Sequence, residues 1–165
     1  MKPNDPKLLL DDAERLFRSV RAKDCKPHEN GVRPTKNAFW NGEFYTSVDR
    51  AKINGDDPYR TQMSPTDGVA QFLAEDTKES PLHGVDQRTG ISITPAEGIV
   101  YVARAYADPV EADPVTGKGA NPAHAEVRLD PAYTDPKTAK RLYDRLCDHL
   151  VRVSLRHGWA IAPEQ

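Results

Sequence analysis

Apolar positions recur at three- and four-residue spacing at both ends of the chain, and at alternate positions in its middle. Over residues 6–22, Leu9, Ala13, Leu16, Phe17 and Val20 share one face at 3.6 residues per turn, which predicts an N-terminal helix. Acidic Asp11, Asp12 and Glu14 come early in it and basic Arg15, Arg18, Arg21 and Lys23 late, the order a helix dipole favours. A second helix is expected from Ser64 as N-cap, Pro65 at N1 and Asp67, running through Val69, Phe72 and Leu73 to Glu75. The last helix has Asp135 as N-cap, Pro136 at N1 and a stripe of Ala139, Leu142, Tyr143, Leu146, Leu150 and Val153. It ends at His157, where Gly158 supplies the stop.

Period-two patterns predict strands. Residues 38–50 read as a β-hairpin about Asn41-Gly42, with Phe44, Thr46 and Val48 alternating against Tyr45, Ser47 and Asp49. Residues 91–94 and 98–107 carry β-branched and aromatic residues. In His124–Leu129, Ala125, Val127 and Leu129 share one face and His124, Glu126 and Arg128 the other. Residues 76–90 and 108–122 read as polar loops, and no repeat or linker divides the chain. The expected fold is a single α+β domain over residues 1–165, a central, mostly antiparallel sheet flanked by N-terminal and C-terminal helices.

Composition excludes more than it suggests. Leu, Ile, Val and Phe make up only 32 of 165 residues, but a net charge of −2 is far too small for a disordered chain. No apolar run approaches the roughly 20 residues that span a bilayer. The opening Met1-Lys2-Pro3-Asn4-Asp5-Pro6 lacks the apolar core of a signal peptide, so a cytoplasmic location is expected. Cys25 and Cys147 stand 122 positions apart and make neither a disulfide framework nor a zinc signature. The balance of 23 basic and 25 acidic residues argues against nucleic-acid binding.

Candidate chemistry is sparse. Lys137, Arg141, Arg145, Arg152 and Arg156 line the last helix, but Asp144 and Asp148 lie at ion-pair spacing and make this an ordinary solvated face. Gly117-Lys118-Gly119 lacks the Ser/Thr and the following helix of a phosphate loop. Histidines 28, 83, 124, 149 and 157 show no ligand spacing, so no metal site is expected. Ser47 is not in a nucleophile-elbow sequence, and although a triad can be assembled by tertiary structure alone, serine-hydrolase chemistry is not the expectation. Two segments stand out, Thr46–Arg50 and Asn121–Glu126. In the second, His124 and Glu126 point the same way, suited to acid–base work or to binding a ribose or metal. The alternative is the wet face of an antiparallel sheet, where such residues belong without function.

Leu16-Phe17-Arg18, Ala38-Phe39 with Ser47-Val48-Asp49-Arg50, and Asn121–Ala125 resemble motifs shared by a group of short, uncharacterised bacterial proteins. That resemblance implies a bacterial, cytoplasmic origin and no particular activity. The order Arg18, Ser47, Glu126 is also similar to the Arg–Ser–Glu pattern of ADP-ribosyltransferase-like domains, which would imply NAD as substrate. The pattern departs at position 124, where His replaces the first residue of a paired carboxylate or amide motif.

The expected function is binding of a partner protein or a small, nucleotide-like ligand, with self-association and any cofactor left open. Segments 24–37, 51–63, 76–90 and 108–122 would present the contacts, with Trp40 and Tyr59 as aromatic anchors, although Trp40 fits the core equally well. The alternative is an NAD-processing enzyme. It would use His124 or Glu126 as acid–base group, Ser47, Asp49 and Asn121 as ligand contacts, and Arg18 or Arg50 on phosphate.

Overall fold

The alternation of small apolar residues in the second half of the chain places Ala103, Ala105 and Ala107 beside Ala125, Val127 and Leu129 on one side of a sheet. Residues 8–78, 84–85, 92–93, 101–132 and 135–165 are described by a computed structural model. Its strands are β1 (Arg15–Val20), β2 (Cys25–His28), β3 (Gly31–Pro34), β4 (Tyr45–Arg50), β5 (Gly68–Leu73), β6 (Gly84–Val85), β7 (Ser92–Ile93), β8 (Val102–Ala107) and β9 (His124–Asp130). They are followed by helix α1 (Pro136–His157) and β10 (Trp159–Ile161). Six strands form one antiparallel sheet in the order β10-β5-β1-β4-β9-β8, while β2 pairs with β3 and β6 with β7 in separate two-stranded sheets. The architecture is α+β.

α1 covers one face of the large sheet. Its buried stripe includes Leu142, Tyr143, Leu146, Cys147 and Leu150, packed with Leu16, Val20, Val48, Ala70, Phe72, Ala125 and Val127 in one core. Burying each large aliphatic side chain contributes about 1.5–3 kcal/mol, so this stripe is the main reason the helix docks. Asp135 caps the helix by accepting from the Thr138 backbone N–H at 3.0 Å, and Gly158 ends it at φ 74°. The start, the stop and the apolar stripe of this helix follow the sequence pattern.

The expected N-terminal helix does not form. Leu8–Leu10 runs extended along the free edge of β8, with Leu9 bridged to Tyr106, and residues 15–20 form β1 in the middle of the sheet. Leu16 and Val20 face α1, whereas Phe17 faces the other way and packs with Ala51 and Val69. A strand buried on both faces carries apolar residues at successive positions, and those positions imitate a helical stripe.

The second expected helix fails for the same reason. Ser64 and Asp67 close a turn through a backbone hydrogen bond of 3.0 Å, and β5 follows, with Val69 on one face and Ala70 and Phe72 on the other. Gly68 opens this strand because a Cβ there would stand 2.8 Å from Pro163 and 2.9 Å from Trp159. The hairpin expected over residues 38–50 is corrected too: β4 forms, but its partners are β1 and β9. Asn41 and Gly42 instead begin a tight turn closed by the Phe44 N–H on the Asn41 carbonyl, and the positive φ falls on Phe44.

Within the segment read as a polar loop, residues 75–77 form a 3-10 turn and Gly84–Val85 pairs with Ser92–Ile93. Residues 79–83, 86–91 and 94–100, which include His83 and parts of the strands expected over 91–94 and 98–107, lie outside the described residues. Segment 108–122 prolongs the β8–β9 hairpin, with bridges Val110–Asn121 and Asp113–Lys118. The Thr116 hydroxyl and the Val115 N–H hold the Asp113 carboxyl below the usual carboxylate range at its tip. Among the described residues, no helix is long and apolar enough to cross a membrane.

Candidate functional site

Register decides which polar side chains meet. Across β4 and β9, Ser47 lies opposite Glu126 and Asp49 opposite His124. Across β9 and β8, Glu126 lies opposite Tyr106, and the Asp108 N–H donates to the His124 carbonyl just past the strand end. In a strand, residues two apart share a face, so Ser47, Asp49, His124, Glu126, Tyr106 and Asp108 all project from the face opposite α1.

On that face the side chains of three adjacent strands join in a row. His124 Nε2 lies 3.1 Å from Ser47 Oγ. Its Nδ1 lies 2.8 Å from the Asp108 carbonyl oxygen and 3.2 Å from Asp108 Oδ2. The carbonyl only accepts, as does the ionised carboxylate, so in neutral His124 the proton sits on Nδ1. Nε2 then presents a lone pair, and the Ser47 hydroxyl donates to it. The His124 and Asp108 side chains keep 15% and 18% of their exposure, enough for a small molecule to touch them. Glu126, by contrast, is fully buried. Beside it, burial first and then the Glu43 and Glu126 carboxyls raise the Tyr45 pKa.

Asp49 and Asn121 form a tether next to this row. Asp49 Oδ1 accepts from Asn121 Nδ2 at 2.9 Å and Oδ2 from the Thr61 hydroxyl at 2.8 Å, while Asn121 Oδ1 accepts from the Ala123 N–H. Asn54 donates to Thr61 in turn. Both segments that flank the sheet, 51–63 and 108–122, are thereby pinned to β4. This network engages Asp49 and Asn121, which the sequence reading had assigned to a ligand.

The two arginines expected on phosphate are on the opposite side. Arg18 lies on the α1 face of β1, where Nε donates to the Ala38 carbonyl at 3.1 Å and Nη1 to the Ser47 carbonyl at 2.8 Å. Burial lowers its pKa from the ordinary arginine value. Arg50 shares that face and pairs with buried Glu14 at 2.5 Å, with Lys52 on the other carboxylate oxygen at 3.0 Å. Arg18, Ser47 and Glu126 thus fall on β1, β4 and β9, with the Arg18 side chain separated from Ser47 Oγ and Glu126 by the sheet itself. Arg128 and Arg104 do share the Ser47 face. Arg128 stacks over the Tyr106 ring at 4.2 Å, and Arg104 pairs with Asp130 at 3.5 Å.

Sequence reading missed Asp108. The signal was present: Asp108 closes the apolar run that ends at Ala107, and His124 opens the next. Folding the two runs into a hairpin sets these residues side by side, whereas a loop over 108–122 gives Asp108 no face. Of the two roles open to it, Trp40 takes the core side: it is half-buried and packs on Tyr143 and Phe44 with ring centroids 5.0 Å and 6.0 Å apart. Tyr59 remains exposed. Among the described residues no group of three or more metal-ligating side chains is clustered. No protein-family model, no curated protein and no solved structure matches this chain.

Proposed function

We propose that the protein binds a small, uncharged polar ligand on the sheet face that carries Ser47, His124 and Glu126. The observation behind this reading is the hydrogen bond between Ser47 and His124, whose ring is oriented from behind by Asp108. A partly exposed hydroxyl and imidazole fixed by their neighbours meet a ligand without further ordering cost, which is what makes a preorganised site bind. The limited exposure of this row suits a small molecule better than a protein surface, which needs a patch of several hundred Å².

Charge selects among small ligands. Asp49, Asp108 and Glu126 surround the Ser47–His124 pair, while Arg18 and Arg50 are turned to the other side of the sheet. The arginines that do share this face, Arg104 and Arg128, lie further along β8 and β9, on Asp130 and over the Tyr106 ring, so a pyrophosphate beside His124 would meet carboxyl groups first. Neutral esters and amides fit the surroundings better.

Backbone and side-chain NMR of the full chain, titrated with small esters, amides, NAD, ATP and GTP, tests this. The expected result is that a neutral compound shifts the resonances of Ser47, His124 and Glu126, and that His124→Ala abolishes the shift. Shifts confined to segment 51–63, or no response to any neutral compound, would count against the reading. A response to NAD that vanishes in Arg18→Met at unchanged stability would restore the transferase alternative.

A further inference from the structure

We propose that Ser47 is an acyl-accepting nucleophile, with His124 as its general base and Asp108 as the residue that positions and electrostatically supports His124, and that the substrates are small neutral esters. The proposal rests on the small-ligand reading of the same face and adds a reaction to it.

Three features carry it. The first is the chain of contacts Ser47 Oγ to His124 Nε2 at 3.1 Å and His124 Nδ1 to Asp108 Oδ2 at 3.2 Å, which joins nucleophile, base and carboxylate through the two nitrogens of one ring. Such constellations are recognised by geometry and role, not by position in the chain. The second is the tautomer. With the Asp108 carbonyl also accepting from Nδ1 at 2.8 Å, Nε2 is left to take the hydroxyl proton. The third is the mounting. All three residues sit on adjacent paired strands, β4, β9 and the continuation of β8, so the backbone ladder holds the distances.

The chemistry balances without any further reagent except water. Ser47 Oγ attacks the ester carbonyl as its proton passes to His124 Nε2. The tetrahedral intermediate collapses, the C–O bond to the alcohol breaks, and His124 returns the proton to the departing alcohol. His124 then takes a proton from water, and the resulting hydroxide attacks the acyl-Ser47 carbonyl. The acyl C–Oγ bond breaks, His124 returns its proton to Ser47 Oγ, and the carboxylic acid leaves. The imidazolium formed in each half is stabilised by the Asp108 carboxylate.

The test is mass spectrometry of the full-length protein after incubation with p-nitrophenyl acetate and, separately, with an alkyl fluorophosphonate, followed by peptide mapping. The expected result is one adduct, on Ser47, absent from Ser47→Ala and from the urea-unfolded chain. His124→Gln should slow adduct formation by roughly 100-fold or more. Asp108→Asn should slow it by roughly 10-fold or more while the ¹⁵N signature of the His124 tautomer stays unchanged, because the Asp108 main-chain carbonyl still accepts from Nδ1. Ser47→Cys should form a thioester adduct with p-nitrophenyl acetate, which guards against a folding defect in the alanine variant.

An adduct that persists in Ser47→Ala, or none on the folded wild-type chain, overturns the proposal. Should esters shift the His124 resonances yet leave no adduct, the nucleophile is refuted and the ligand reading stands. If adduct forms as readily in His124→Gln as in the wild type, the base assignment is refuted.

Discussion

Arg18 and Ser47 meet through the sheet and not across its surface. The Arg18 guanidinium donates to the Ser47 carbonyl at 2.8 Å from the α1 side, while the Ser47 hydroxyl reaches His124 on the other side. Arg18 is therefore a structural donor that satisfies two carbonyls near the core, those of Ala38 and Ser47. Leaving such acceptors without a donor costs about 1–3 kcal/mol. Arg18→Met should lower the unfolding free energy by that order in urea titration while leaving Ser47 acylation within a few-fold of the wild type. A large loss of acylation at unchanged stability would contradict this assignment.

Glu14 predicts the acid behaviour of the fold. Burial pushes its carboxyl up, but the hydrogen bonds from Arg50 and Lys52 outweigh this and hold its pKa below the usual glutamate value. The unfolded chain thus binds the proton more readily, and stability rises with pH across this titration. The contribution is present above about pH 4.3, where the unfolded side chain ionises, and is lost as pH falls through the lower folded value. Glu14→Gln should flatten stability against pH in this range and weaken the fold at neutral pH by about 1–3 kcal/mol, since Arg50 loses its partner. Urea midpoints measured at several acidic pH values check both.

Tyr143 sets the alkaline limit. Its hydroxyl lies 2.7 Å from the Phe39 carbonyl, 2.8 Å from the Tyr45 carbonyl and 2.9 Å from the Thr46 hydroxyl, and burial drives its pKa far above the ordinary tyrosine value. Tyr106, which burial and its bond to Asp130 push up to about 12, behaves likewise. An unfolded tyrosine ionises near pH 10 and releases a proton that the folded one keeps, so stability falls as pH rises beyond that point. Ultraviolet absorbance titration should show phenolate from these two tyrosines only well above pH 10 while the protein stays folded. Tyr143→Phe should remove part of the alkaline loss and destabilise the neutral protein by about 1–3 kcal/mol, because the Tyr45 carbonyl loses its donor. Ionisation of all tyrosines near pH 10 in the folded protein would contradict this.

The elements that were legible along the chain are those whose signals are local. Asp135, Pro136 and Gly158 mark the ends of α1 within a few residues of the backbone groups they satisfy, and its apolar stripe faces a single partner surface. The alternation in β9 was equally readable, with Ala125, Val127 and Leu129 in the core and His124, Glu126 and Arg128 on the other face. What misled was two-sided burial. Leu16, Phe17 and Val20 in β1, and Val69 and Phe72 in β5, supply core on both sides of the inner strands, and nothing local separates that pattern from a helix. The Asn41-Gly42 signal found a turn, but the turn does not join two paired strands.

The candidate site divides in the same way. By itself the sequence determined that His124 and Glu126 share a face, because the side-chain period of a strand is two and needs no partner to define it. It also determined the polar character of Ser47 and Asp49 within one strand. Only the tertiary structure decided that Ser47 faces His124, that Asp108 stands behind it, and that Arg18 and Arg50 lie on the far side. Those relations depend on strand order and register, and a one-residue change of register would have turned every side chain to the opposite face. Register is set by the burial of the whole sheet against α1, a property that no single segment of the chain contains.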